Sequence, residues 1–154
     1  MKGAVLAITV LALGALAGCG TARTRAGVTK AQFIAGADAI CQAAQARIAR
    51  VKHTAEARPH PPGAAELIRK EVSIDGEANA KLESLPEPPG DGARIEAWLT
   101  ARTVAATVAT DAAEAPAGND QVAVRDVFAE LARASAGARR LAREYGLEVC
   151  GATG

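Results

Sequence analysis

Apolar residues recur at helical spacing along four stretches of this chain, and proline- and glycine-containing breaks separate the stretches. The first stretch opens at Thr29. There Thr29-Lys30-Ala31-Gln32 fits a capping box, in which the threonine hydroxyl and the glutamine side chain satisfy backbone N–H groups of the first turn. From that point Phe33, Ala37, Ile40, Cys41, Ala44, Ile48 and Val51 fall on one stripe, which turns Cys41 toward the core. The helix should fray before Pro59, because a residue preceding proline avoids the α region. Arg58-Pro59-His60-Pro61-Pro62-Gly63 forms the first break. A second helix is expected from about Ala64 to Leu85, with Leu67, Ile68, Val72, Ile74, Ala78, Leu82 and Leu85 on its apolar side. Asp75-Gly76 in its middle marks a weak point or a close packing contact. Leu85-Pro86-Glu87-Pro88-Pro89-Gly90 is a stiff connector.

The third helix is expected from near Asp91 to about Glu114, with Ile95, Trp98, Leu99, Ala105, Ala106, Ala109 and Ala113 facing inward. Ala115-Pro116-Ala117-Gly118-Asn119 ends it, and Asn119 or Asp120 caps the next. The fourth helix carries Val124, Val127, Phe128, Leu131, Ala134, Ala138, Leu141, Ala142 and Tyr145 on its inner side. Gly146 sits where a left-handed residue ends a helix, and Leu147 supplies the hydrophobic contact of a Schellman ending. No stretch alternates as a strand does, and no repeat is present. The pattern predicts an all-α fold, an antiparallel four-helix bundle of up-down-up-down topology. Cys41 lies about three turns into the first helix. A tail running from Leu147 to Cys150 must therefore turn back along the bundle to reach it, at about 3.3 Å per residue.

A different pattern precedes the bundle. Lys2 is followed by an apolar run from Ala4 to Ala17, too short and too weakly flanked for a membrane span. The run ends in Leu16-Ala17-Gly18-Cys19. This segment resembles a bacterial lipoprotein signal peptide with its lipobox. The resemblance implies that residues 1–18 are removed and that Cys19 becomes the lipid-bearing first residue of the mature chain, acylated by palmitate or similar chains. Each buried CH₂ contributes about 0.8 kcal/mol, so one chain holds marginally and a diacylated or triacylated cysteine holds stably. The protein is then lipid-anchored at the extracytoplasmic face of the cell membrane. Residues 19–28 comprise the lipid-bearing cysteine and a flexible tether, spanning at most about 30 Å. The bundle domain occupies 29–151 and a short tail 152–154.

That address changes the cysteine arithmetic. The chain has three cysteines, and with Cys19 acylated Cys41 and Cys150 remain in a non-cytosolic space. A disulfide between them is expected. It would close a loop of nearly the whole domain, worth roughly 4.7 kcal/mol for about 100 residues in the chain-entropy model. The bond matters because the core is thin. Aromatic residues are only 3% of the chain, and alanine buries little apolar area. Loss of Lys2 with the signal peptide takes the net charge from +1 to neutral, which removes any electrostatic argument for nucleic acid.

Several short motifs together carry a second resemblance: Phe33-Ile34 with Ala37-Asp38-Ala39-Ile40-Cys41, the Leu85-Pro86-Glu87-Pro88-Pro89 break, Trp98-Leu99, and Tyr145-Gly146-Leu147-Glu148-Val149-Cys150-Gly151. The chain is similar in these to small helical lipoproteins and secreted proteins of high-GC actinobacteria. The resemblance supports the paired cysteines and the bundle, and implies no activity.

Candidate chemistry is sparse. His53, Glu56 and His60 would share one helical face and could offer nitrogen and oxygen ligands to zinc, but Pro59 interrupts the helix before His60. Thr100, Thr103, Thr107 and Thr110 form a stripe that could line a groove, and hydroxyls in such stripes commonly bond back to i−4 carbonyls. Asp38, beside the apolar face, calls for a cationic partner such as Arg102 or an arginine of the fourth helix. Arg133, Arg139, Arg140 and Arg143 with Glu130 and Glu144 read as an exposed helical face. Signatures of nucleotide, haem and hydrolase sites are missing, so no catalytic residue, metal or cofactor is assigned.

The sequence thus points to a non-enzymatic, membrane-anchored cell-envelope lipoprotein acting as a binding or interaction module, with an unknown protein or small ligand as partner. The alternative is a carrier of a small apolar or amphipathic ligand between helices, or a metal-binding lipoprotein. A carrier requires a cavity lined by Trp98, Ala105, Ala109 and the facing helices. An interaction protein requires an exposed apolar patch of several hundred Å².

Overall fold

The computed structural model describes residues 27–57, 63–114 and 121–152. Cys19 and the rest of the signal and tether through residue 26, His60, the Asn119/Asp120 cap and residues 153–154 lie outside the described residues. The described chain is all-helical, with four helices: α1 (Lys30–Glu56), α2 (Ala64–Glu83), α3 (Gly92–Glu114) and α4 (Gln121–Tyr145). No strand occurs among the described residues.

Local chemistry sets the helix ends. The Thr29 hydroxyl accepts a hydrogen bond from the Gln32 N–H at 3.2 Å, and the Thr29 N–H donates to Gln32 Oε1 at 2.8 Å, completing the capping box. At the other extreme Gly146 has φ +104° and donates to the Arg143 carbonyl, while the Leu147 N–H donates to Ala142. This is the Schellman ending, and it aims the chain back across the bundle. Helix α2 runs unbroken through Gly76, where an added Cβ would meet nothing within 4 Å. The close packing contact expected at Asp75-Gly76 is therefore absent, and the helix does not break there.

Cross-helix pairs establish the antiparallel arrangement. Arg47 meets Glu77 at 2.6 Å and Lys52 meets Glu71 at 3.3 Å, so α2 descends as α1 rises. Arg102 of α3 reaches Asn79, and Arg69 reaches the Ala113 carbonyl. Arg94 at the start of α3 donates to the Glu144 carbonyl at the end of α4. Each helix packs against its neighbour in sequence, and α1 meets the end of α4 through Tyr145 and the segment that follows it.

The core concentrates at the end of the bundle that holds the start of α1 and the end of α4. Phe33, Leu82, Ile95, Trp98 and Leu147 are its largest fully buried side chains, joined by Ala37, Cys41, Ala142, Tyr145 and Cys150. The Phe33 and Tyr145 rings meet edge to face at 5.8 Å. A smaller cluster of Ala44, Ile74 and Ala78 continues along α1 and α2. Beyond it the packing thins. Phe128, expected on the inner side of α4, is 41% exposed, because the first half of α4 lies past the reach of the tail and has no α1 surface against which to bury a ring.

Candidate binding cleft

The tail positions the site. Cys41 and Cys150 form the expected disulfide, with an S–S distance of 2.05 Å and a Cα–Cα distance of 5.3 Å. The Asp38 carboxylate does not pair with an arginine. It accepts the backbone N–H groups of Glu148, Val149 and Cys150, each at 3.0 Å. A carboxylate facing three convergent amides needs no cation, since charge-assisted bonds to N–H satisfy it. Gln45 Nε2 donates to the Val149 carbonyl at 3.1 Å, and Arg143 donates to the Gly151 carbonyl at 2.7 Å. Thus Arg143, expected as part of an exposed face, ties the tail to α4 while Asp38 and Gln45 tie it to α1.

Above this tail the four helices line an open cleft of about 320 Å³. Ile48 contributes from α1, Ile68 and Val72 from α2, Ala105, Ala106 and Ala109 from α3, and Leu131 and Ala138 from α4; Cys150 and Ala152 form its base. The room exists because α3 presents alanines where larger side chains would fill the bundle axis. Its polar groups come from Gln45 on α1, from the helical spacing of Glu71, Asp75 and Asn79 on α2, from Arg102 on α3, and from Ser135 and Arg139 on α4.

Arg102 organises one wall. Its Nε donates to Asn79 Oδ1 at 2.7 Å, its Nη2 stands 3.9 Å from Asp75 Oδ1, and its guanidinium lies 5.8 Å from the Trp98 ring. Burial pushes the Asp75 carboxyl above the usual carboxylate range, against the pull of Arg102. Burial likewise lowers Arg102, with Asp75 opposing. Trp98 itself is packed beneath Arg102 at 1% exposure and does not line the cleft, and its Nε1 has no hydrogen-bond partner among the described residues. Glu71 is paired with Lys52. Arg139 has no ion-pair or hydrogen-bond partner among the described residues.

No family model, curated protein or solved structure matches this chain. The cleft is therefore read from its own chemistry.

The other candidates separate. Thr103, Thr107 and Thr110 donate to the Leu99, Thr103 and Ala106 carbonyls one turn back, so their hydroxyls are spent within α3. His53 and Glu56 are exposed near the end of α1, and among the described residues no group of His, Cys, Asp and Glu is placed to hold a metal ion. Sequence reasoning missed Asp75 and Asn79 as members of a polar wall. Their i,i+4 spacing on the side of α2 bearing Ile68 and Val72 was the available signal.

Proposed function

We propose that this chain is a non-enzymatic binding module of the bacterial cell envelope, held at the extracytoplasmic face of the membrane by lipid on Cys19. The observation that carries the binding role is the four-helix cleft, apolar over most of its wall with a few convergent polar groups, as small-molecule sites are. Its lining contains no histidine, and its one cysteine is committed to the disulfide, so the wall is suited to recognition. The anchor is supported by the run from Ala4 to Ala17 before Leu16-Ala17-Gly18-Cys19. No helix among the described residues is long and apolar enough to cross a membrane.

Two readouts test the proposal together. The full chain expressed in a bacterium should fractionate with membranes, and Cys19→Ala should abolish that retention. An envelope lipid extract should raise the melting temperature of the soluble bundle, and Ala109→Phe, which fills the cleft, should remove the rise. Unchanged fractionation with Cys19→Ala overturns the anchor; a rise that survives Ala109→Phe overturns the cleft. Partly exposed Val122 and Phe128 on the first half of α4 favour a second reading, a protein-interaction surface on that helix.

A further inference from the structure

Four charged side chains line the cleft, the carboxylates of Glu71 and Asp75 and the guanidiniums of Arg102 and Arg139. Glu71 is matched by Lys52 at 3.3 Å, and Asp75 faces Arg102 at 3.9 Å. Arg139 on α4 is left over, and Ser135, one turn before it, brings a hydroxyl to the same wall. Arg102 adds a second donor, since its Nε bonds Asn79, its Nη2 only approaches Asp75, and its Nη1 has no partner among the described residues. A guanidinium at the edge of an apolar cleft is a strong recognition element for a carboxylate, because both ions form directional, charge-assisted hydrogen bonds. The remaining wall is aliphatic, formed by Ile68, Val72, Ala109 and Leu131 among others. A cleft of about 320 Å³ falls at the lower end of the range of small-ligand sites, about 300–1,000 Å³. A single hydrocarbon chain is a ligand of matching scale.

Resting on the reading of the cleft as the binding site, we infer that its ligand is a single-chain amphiphile with one anionic carboxylate head, the head at Arg139 and Ser135 and the chain along the aliphatic wall. Attachment of the protein to a membrane would set the cleft beside a source of such molecules. No covalent step is involved.

The test uses residues 20–154, secreted behind an ordinary cleavable signal so that no acyl group competes. Every buried core residue among the described residues lies within this span. Trp98 is the chain's one tryptophan and sits beneath Arg102, so its fluorescence reports on the polar wall. Decanoate, decan-1-ol and decyltrimethylammonium are titrated separately, each below its micelle-forming concentration. Decanoate should bind at least about tenfold more tightly than the alcohol, and the cation should bind most weakly. Arg139→Met, which keeps the aliphatic stem, should remove the preference for decanoate while leaving decanol affinity unchanged. Equal binding of decanoate and decanol, or a preference that survives Arg139→Met, overturns the anion assignment and leaves the cleft reading standing. Binding of none of the probes, or binding indifferent to Ala109→Phe, overturns both. Melting curves of each variant confirm that the bundle is folded, so loss of binding is read only from folded protein.

Discussion

Tyr145 shows how much one residue can hold together at the packed end of the bundle. Its ring meets Phe33, its hydroxyl donates to Asp91 Oδ2 at 2.8 Å, and Lys30 and Arg94 flank the ring at 4.4 and 5.5 Å. Burial first, and then the Asp91 carboxylate, push the phenol well above its ordinary value of about 10. The sign of the linkage follows. Above pH 10 the unfolded chain loses the phenolic proton while the folded protein keeps it, so rising pH favours unfolding. Below pH 10 Tyr145 contributes no slope. Urea denaturation from pH 8 to 11 should show stability falling above pH 10, and Tyr145→Phe should flatten that fall. A wild-type and a Tyr145→Phe curve with the same alkaline slope would contradict the assignment. The apolar half of this role was legible from the helical stripe. The hydrogen bond to Asp91 was not, because it joins residues 54 apart in sequence and depends on how α3 and α4 are aligned.

At the scale of elements, the boundaries were readable because proline and glycine act locally. The capping box at Thr29 and the glycine ending at Gly146 stand where the sequence placed them. Side-chain periodicity was less informative for α4. It marked Phe128 as inner, yet a stripe records only that one face is apolar and not whether another helix covers it. The least legible link was between Asp38 and the tail. The partners of Asp38 are backbone amides about 110 residues away, and amides leave no mark in a side-chain pattern. With the Phe33–Tyr145 contact and the disulfide, this link joins α1 to the end of α4. Asp38→Ala strands three tail N–H groups, and charged hydrogen bonds of this kind are worth about 1.5–3 kcal/mol each before solvent compensates the exposed ones. A loss of about 2–4 kcal/mol is expected in equilibrium unfolding with the disulfide intact. A change below about 0.5 kcal/mol would mean that the disulfide alone fixes the tail.

For the whole molecule, bundle topology followed from four helical stretches, and the Cys41–Cys150 bond closes the bundle covalently. The cleft was harder to foresee. Ala105 and Ala109 were expected to line any internal cavity, and they do, but Trp98 was expected beside them and instead lies buried beneath Arg102. Whether alanines pack against each other or leave a space depends on the separation of facing helices, which composition does not encode. The arrangement suggests a division of labour along the bundle axis. The packed end, clamped by Asp38, Tyr145 and the Cys41–Cys150 bond, supplies rigidity, and the thinner part above the tail supplies room. Native mass spectrometry of the secreted bundle, without denaturation, tests this account most directly. The account predicts a monomer two hydrogen atoms lighter than the reduced chain, carrying one single-chain acid that is released on collisional activation and absent from Ala109→Phe. A bare chain in every charge state, or a bound mass retained by Ala109→Phe, would contradict it.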